Sequence, residues 1–297
     1  MTKVIWNSDA GRKALSLTRL DEAGVSALLE QAGLDYEICP TDTAEEAEAL
    51  ARAEVAAGAK VVVAAGGDGT IGTVARALLD SGVALGMLPL GSVMNVPRML
   101  GVPRDANEAA RIIARGFTRT IDVGEANGRL FYETASVGIG ASVFREASRV
   151  EDGDYGGLWR AVRNAFRYRP RRMRVELDGG RSFETRALMV TVGNGPYWGL
   201  GMAVAPSARL DDGKFDVRVF RHFSKIELFT HLASIAFGRR RFSPHVRTQR
   251  SSWVRIDARR PLPARADAIE LGYTPIECRI RPSALTVIVP ELPVDGT

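Results

Sequence analysis

Cysteine and histidine are scarce in this sequence, which contains two cysteines and three histidines. Cys39 and Cys278 lie far apart and outside any Cys-x-x-Cys pattern, which disfavours both a zinc site and a disulfide framework. His222, His231 and His245 do not have the spacing of metal ligands. Such isolated thiols favour the reducing environment of the cytoplasm.

Long apolar runs are missing as well. Met1 leads directly into a short β-rich run at 4–6, without the basic segment and apolar stretch of a secretion signal. No run approaches the roughly 20 apolar residues that a membrane-spanning helix needs. We therefore expect a cytoplasmic protein whose contact with a membrane, if it has one, is peripheral.

The net charge is +5, and arginine is concentrated in two segments. The arginines of these segments are Arg167, Arg169, Arg171, Arg172 and Arg174 in the first, and Arg239, Arg240, Arg241, Arg247 and Arg250 in the second. Basic residues with apolar neighbours are able to dock on anionic lipid headgroups, but a solvated basic surface explains each segment equally well. A nucleic-acid partner is not expected, because no basic repeat interleaved with aromatic residues is present. The oligomeric state stays open, with a homodimer as one alternative.

The first third of the chain alternates between strand and helix patterns. A nearly continuous apolar run at 61–65 is typical of a parallel strand buried on both faces, and Thr43 with Glu46 forms a capping box. This alternation predicts a doubly wound α/β domain over residues 1–121. Short strand patterns separated by glycine turns then predict a β-rich sandwich domain over residues 122–289, and the tail 290–297 could return to the first domain.

Some individual elements of the second domain are also predicted. Strand patterns include residues 186–192, 276–280 and 285–289, and the clearest helical pattern is at 225–237.

A glycine-rich turn, Gly66-Gly67-Asp68-Gly69-Thr70, connects the apolar strand to the next predicted helix. Glycines let successive backbone N–H groups converge on an anion, and the helix adds the positive end of its dipole. We interpret the turn as a phosphate site; the alternative is a tight turn without a ligand. Because Asp68 would repel phosphate, we expect it to face a Mg²⁺ ion or the accepting hydroxyl. The spacing matches neither GxGxxG nor GxxxxGK[ST], which disfavours Rossmann dehydrogenases and P-loop kinases.

Two further loops follow neighbouring predicted strands. Residues 88–95 include Ser92 and Asn95, and residues 5–11 include Asn7. In open α/β sheets, ligands bind beyond the carboxyl ends of the strands. We therefore expect the glycine turn and these two loops to form a nucleotide cleft.

Taken together, the three loops resemble the diacylglycerol kinase catalytic family, which includes bacterial lipid kinases and the sphingosine and ceramide kinases. The GGDGT turn is the most specific match. The similarity continues at the other motif-like segments, which are residues 7–11, 89–92, 100–103, 135–140, 205–216 and 282–290. The resemblance covers nearly the whole chain. It implies an NAD kinase/diacylglycerol kinase-like α/β domain, a β-rich sandwich domain, and ATP in the cleft between them.

The resemblance also implies a lipid substrate, ATP and Mg²⁺, and it suggests which residues bind them. The residues expected to contact ATP are Asn7, Thr41, Gly66, Gly67, Asp68, Gly69, Thr70, Ile71, Gly72 and Ser92. A structural Mg²⁺ ion would be held by the Asp212 carboxylate with the backbone carbonyls of Arg209 and Lys214. Without the resemblance, residues 211–213 would be interpreted as an ordinary hairpin turn.

One departure from the family pattern concerns the general base. The family's Asp-Gly-Glu, whose glutamate is thought to be the base, aligns with Asp267-Ala268-Ile269, and isoleucine cannot accept a proton. Glu270 is one residue later, on the opposite face of a strand unless a bulge re-aims it. Three hypotheses follow: Asp68 is the base, Glu270 reaches in through a bulge, or the activity is weak or altered.

Two other functions compete with an active lipid kinase. A nucleotide-binding pseudokinase is favoured by the departures at Gly72, Met94 and Ile269 from the family pattern. An NAD kinase-like enzyme would share the GGDGT turn, but the match over 205–216 favours the lipid kinases.

Overall fold

The computed structural model describes residues 1–8, 20–141, 168–199, 201–221 and 245–291. The helix predicted at 225–237, His222, His231, Arg167, Arg239 to Arg241 and the tail beyond residue 291 lie outside these residues. The chain divides into two compact units, Met1–Asp122 with Ser283–Thr297, and Val123–Pro282.

The first unit is a parallel sheet with helices. Its strands are β1 (Thr2–Asn7), β2 (Tyr36–Thr41), β3 (Val61–Gly66) and β4 (Ala84–Pro89), and its helices are α1 (Glu22–Gln31), α2 (Ala44–Ala56), α3 (Asp68–Leu78), α4 (Asn95–Met99) and α5 (Ala106–Arg115). The strand order is β2-β1-β3-β4, and β4 pairs in parallel with the end of β16 (Ile276–Ile288) through Thr286 and Val287. This arrangement confirms the predicted doubly wound α/β domain.

Local sequence explains where these elements start. Residues of β3 and β4 are almost all buried, as expected for strands covered on both faces. Thr43 accepts a hydrogen bond from the Glu46 N–H at 3.2 Å, which confirms the predicted N-cap of α2. Asp21 and Asp105 cap α1 and α5 in the same way.

The second unit is a β-sandwich. Its strands are β5 (Thr118–Ala126), which begins in the first unit, β6 (Arg129–Phe131), β7 (Thr134–Gly138), β8 (Arg171–Leu177), β9 (Ser182–Ala187), β10 (Met189–Gly193), β11 (Phe215–Phe220), β12 (Val246–Ser251), β13 (Trp253–Asp257), β14 (Pro263–Ala266), β15 (Ile269–Tyr273) and the first part of β16. One sheet has the antiparallel order β12-β11-β10-β7-β14-β15, and the other contains β16-β13-β8-β9. The core cluster takes Val137 and Val217 from one sheet and Val175 and Ile256 from the other. The predicted β-rich sandwich domain is therefore confirmed.

Three strand predictions were wrong in detail. The strand predicted at 186–192 breaks at Leu188, because β9 pairs in one sheet and β10 in the other. Conversely, the strands predicted at 276–280 and 285–289 form the single strand β16, which continues through Pro282 although Ser283 has φ 49°.

Candidate functional site

The glycine turn forms the start of α3. Gly67 is the N-cap residue and has no side chain, and among the described residues no side chain makes a cap hydrogen bond to the start of the helix. The N–H of Ile71 donates to the Gly67 carbonyl at 3.0 Å and closes the first helical turn. The N–H groups before it, on Asp68, Gly69 and Thr70, point toward the helix N-terminus. Such a terminus is suited to binding an anion.

Close contacts with neighbouring atoms explain two of the glycines. A Cβ atom on Gly66 would lie 2.6 Å from Thr70 Oγ1, and one on Gly91 would lie 2.6 Å from the Gly67 Cα atom. The Leu90 N–H also donates to the Gly66 carbonyl at 3.0 Å. Gly69 differs, because a Cβ atom there would meet nothing within 4 Å. The loop at 88–95 thus packs directly on the glycine turn, while Gly69 borders open space.

The first loop also reaches the glycine turn. Asn7 Nδ2 donates to Thr70 Oγ1 at 3.3 Å. The buried Thr41 hydroxyl donates to the Trp6 carbonyl at 3.3 Å, and Thr41 borders a pocket of about 410 Å³ that is also lined by Leu50. The predicted meeting of the three loops at one sheet edge is therefore confirmed.

Not every residue expected at the nucleotide is placed to contact it through its side chain. Ile71 is fully buried in the core, and Gly72 follows it inside α3. The carbonyl of Ser92 accepts a hydrogen bond from the Arg104 guanidinium, which holds the loop at 88–95. The roles of Ile71, Gly72 and Ser92 toward a nucleotide stay predictions.

Asp68 connects two of the loops. Its Oδ2 accepts from the Asn95 N–H at 3.1 Å and its Oδ1 accepts from the Val96 N–H at 3.0 Å. Burial raises the pKa of Asp68, and the N–H groups of Val96, Asn95 and Met94 oppose that rise. The carboxylate therefore caps α4 from a distant part of the chain, and it holds the glycine turn against the loop at 88–95. No sequence signal announces this contact.

In the second unit, Asp267 organises the turn that precedes Ile269. Its carboxylate accepts hydrogen bonds from the N–H groups of Tyr132, Glu133 and Thr134, at 2.7, 3.1 and 2.9 Å. A carboxylate that accepts three N–H groups is well satisfied as an anion. Asp267 thus has a structural role at the start of β7.

Glu270 lies beside a bulge but not on the face of Ile269. In the ladder between β14 and β15, Ala266 pairs with Ile269 and Arg265 pairs with Glu270, so these two successive positions of β15 face opposite sides. The register shift comes after them, between Ala264 and Arg265. Glu270 is exposed. The bulge therefore does not turn Glu270 toward the side of Ile269.

Glu133 is a buried carboxylate that the sequence analysis missed. It is 7% exposed, and its carbonyl accepts from the N–H groups of Asn194 and Gly195, each at 2.9 Å. Asn194 is fully buried, and its Nδ2 donates to the Tyr132 carbonyl at 3.1 Å. Glu133 lies in a run that has the pattern of a strand, and nothing in that run marks it as a site residue.

In the turn expected to hold Mg²⁺, the Asp212 carboxylate already has partners within the protein, and the magnesium role of Arg209, Asp212 and Lys214 stays a prediction. Asp212 Oδ1 accepts from the Lys214 N–H at 3.0 Å, and its Oδ2 contacts the Arg250 guanidinium. The side chain of Arg209 forms an ion pair with Asp211 at 3.2 Å. Within the ranges that the structure describes, no group of three or more His, Cys, Asp or Glu side chains could hold a metal ion. A cation at Asp212 would therefore meet the positive charge of the Arg250 guanidinium.

The basic segment around Pro170 is partly neutralised. Arg174 forms an ion pair with Glu176 at 2.8 Å, and Arg172 lies 3.9 Å from Glu184. Exposed pairs of this kind contribute little to stability, but they reduce the local positive charge. In the described part of the chain, no helix combines the length and the hydropathy that a membrane crossing requires.

Comparisons with known proteins agree with this architecture. Residues 1–126 match the diacylglycerol kinase catalytic domain, and residues 133–289 match the YegS C-terminal NAD kinase beta sandwich-like domain. A Pseudomonas fluorescens protein named "probable lipid kinase YegS-like" is 31% identical over 88% of this chain and 87% of its own length. The Bacillus subtilis diacylglycerol kinase is 27% identical over 93% of this chain and 91% of its own.

A solved structure has the same fold. The crystal structure of a diacylglycerol kinase from Bacillus anthracis superposes with a TM-score of 0.75 at 21% identity, over 97% of this chain and 96% of that one. The domain matches and the relatives confirm the resemblance found in the sequence. The chain belongs to the diacylglycerol kinase catalytic family, the lipid kinases with a YegS-type C-terminal domain.

Proposed function

We propose that this protein is an ATP-dependent kinase that transfers the γ-phosphate to the hydroxyl of a lipid. The observation that carries the proposal is the N-terminus of α3, where no side chain of the described residues caps the helix and Gly69 borders open space. Backbone N–H groups at a helix N-terminus, without a Cβ in the way, are suited to bind the phosphates of a nucleotide.

Individual residues of the first unit have distinct roles in this proposal. The N–H groups of Asp68, Gly69 and Thr70 bind phosphate oxygens, and Asn7 orients the Thr70 hydroxyl from the side. The pocket beside Thr41 is large enough for part of the nucleoside. ATP binds as its Mg²⁺ complex, which neutralises the charge that develops during phosphoryl transfer.

Asp68 acts mainly as a positioning residue in this scheme, because each of its carboxylate oxygens already accepts a backbone N–H. Replacing it by asparagine would put an N–H₂ group against an N–H donor and loosen the loop at 88–95. Glu270 faces the side opposite Ile269, so a role for it in proton transfer has no support from the bulge and is left to the Glu270→Gln assay. A general base contributes roughly 10²–10⁴-fold, and phosphoryl transfer depends mostly on positioning and charge.

The lipid acceptor is proposed to be diacylglycerol or a related lipid alcohol. This part rests on the names of the relatives, among them the diacylglycerol kinase of Bacillus subtilis. A nucleotide-binding protein without transferase activity is the second candidate, and Ile269 at the family's base position favours it.

A γ-phosphate transfer screen tests both candidates. Labelled ATP, Mg²⁺ and a panel of lipid alcohols in detergent micelles are incubated with the protein, and labelled lipid is measured. The kinase predicts phosphate in at least one lipid. ATP binding without transfer to any lipid of the panel, or to a total lipid extract, would favour the second candidate. Asp68→Asn and Glu270→Gln, assayed separately, then test the two carboxylates.

A further inference from the structure

An arginine side chain from a neighbouring strand contacts the turn at residues 209–214. Arg250 lies on β12 directly opposite Asp216 on β11, as a cross-strand pair. Its Nε lies 3.5 Å from Asp216 Oδ1, and its NH2 contacts Asp212 Oδ2. Arg250 therefore contacts Asp212 and lies within ion-pair distance of Asp216, without a hydrogen bond to Asp216 Oδ1, and the register of the β11–β12 ladder places it there.

Both carboxylates need a positive partner. The Asp216 side chain is 2% exposed, and an ionised carboxylate buried to that extent is costly unless it is paired. Burial raises the pKa of Asp216, and Arg218 opposes that rise. Asp212 is more accessible, and the Lys214 N–H already occupies one of its oxygens.

The local charges balance without a metal ion. Three carboxylates meet three guanidinium groups: Asp211 pairs with Arg209 at 3.2 Å, Asp212 contacts Arg250, and Asp216 lies near both Arg250 and Arg218. Mg²⁺ requires near-octahedral oxygen coordination and releases its water reluctantly. A planar guanidinium fork instead matches carboxylate oxygens directly, and it carries its charge at every physiological pH.

We propose that Arg250 replaces the divalent cation at this turn, so that the second unit folds and holds residues 209–216 without Mg²⁺. The magnesium requirement of the protein then comes only from the nucleotide. This inference concerns the folded state and stands whether or not the chain transfers phosphate to a lipid.

Thermal unfolding of the full chain without nucleotide or lipid tests the proposal. The melting temperature Tm is measured in EDTA and in millimolar Mg²⁺ at matched ionic strength. A metal site filled to about a hundred times its Kd would raise Tm by roughly 5–10 °C, whereas we expect a change below about 1 °C. Arg250→Gln should lower Tm by several degrees in either buffer, because it leaves Asp216 buried without its cross-strand cation.

Arg171→Gln is the matched control, since it removes the same charge from an exposed strand position opposite Ala187 and should leave Tm nearly unchanged. Arg250→Lys keeps the positive charge but loses the planar guanidinium group. Its Tm should lie between those of the wild type and Arg250→Gln. The proposal is overturned if Mg²⁺ raises the wild-type Tm by several degrees and Asp212→Asn abolishes that rise. Equal Tm values for Arg250→Gln and Arg171→Gln would overturn it as well. If Arg250→Gln does not fold, the wild-type comparison of EDTA with Mg²⁺ still decides.

Discussion

The variant Gly69→Ala distinguishes the two interpretations of the glycine turn, as a phosphate-binding site or as a turn without a ligand. A Cβ atom at Gly69 meets nothing within 4 Å, so the folded state accommodates the new methyl group. Gly69 lies in the first turn of α3, where alanine is a better helix former by about 0.5–1 kcal/mol. For a chain of this size, that gain should raise Tm by about 1–4 °C.

The affinity for ATP should fall in Gly69→Ala, although the stability of the protein rises. If phosphates approach the N–H groups of Asp68, Gly69 and Thr70, the methyl group at 69 occupies the space through which they come. We expect the Kd for ATP to rise at least ~10-fold, a loss of about 1.4 kcal/mol. Titration of ATP with Tm as the readout measures both quantities, since a ligand of the native state raises Tm with its concentration.

Gly91→Ala provides the contrast. Its Cβ atom would lie 2.6 Å from the Gly67 Cα atom and 2.8 Å from Met94 Sδ. Overpacking of this kind lowers the free energy of unfolding by about 1–3 kcal/mol, so this variant should have a lower Tm than the wild type even without ATP. The reasoning fails if Gly69→Ala is folded and binds ATP with wild-type affinity, because the phosphates then do not approach this side of the turn.

Two other predictions concern the second unit. Ile269→Glu restores a carboxylate at the family's base position, and we expect the rate of lipid phosphorylation to increase ~10-fold or more. If neither Ile269→Glu nor Glu270→Gln changes that rate, proton transfer does not limit turnover. Hydrogen bonds lower the pKa of Asp178 from 3.8 to about 2. The largest contribution comes from the Ser252 N–H and the next from the Arg181 side chain. The ionised side chain therefore stabilises the native state above pH of about 4, and this contribution is lost as the pH falls through about 2. Asp178→Asn should lower the denaturant midpoint at neutral pH and flatten its decline in acid; parallel pH profiles for wild type and variant would contradict this.

The elements that were predicted correctly depend on short-range signals. The apolar run of β3 and the Thr43 cap of α2 are both readable from neighbouring residues. The approach of the three loops follows from a general property of parallel sheets, namely that strand ends share one edge.

The features that were missed depend on residues far apart in the chain. Asp68 caps α4 across 27 positions, and Asp216 meets Arg250 across the β11–β12 ladder. The break at Leu188 was invisible because residues on both sides have equally good strand patterns, and only their partners differ. Glu133 could not be selected, since its burial comes from the sandwich around it and from no local pattern.

The pairing of β16 with β4 has a consequence for synthesis. The sheet of the first unit pairs residues near 84 with residues near 286, so this strand leaves the ribosome only after the whole of Val123–Pro282. Domains generally fold as units from the N-terminus as they emerge. Here the N-terminal segment must wait for the rest of the chain with one edge of β4 unpaired, and exposed strand edges invite aggregation. A fragment ending at residue 121 would keep that open edge permanently. A cut at the domain boundary would therefore separate β4 from the strand that covers its edge.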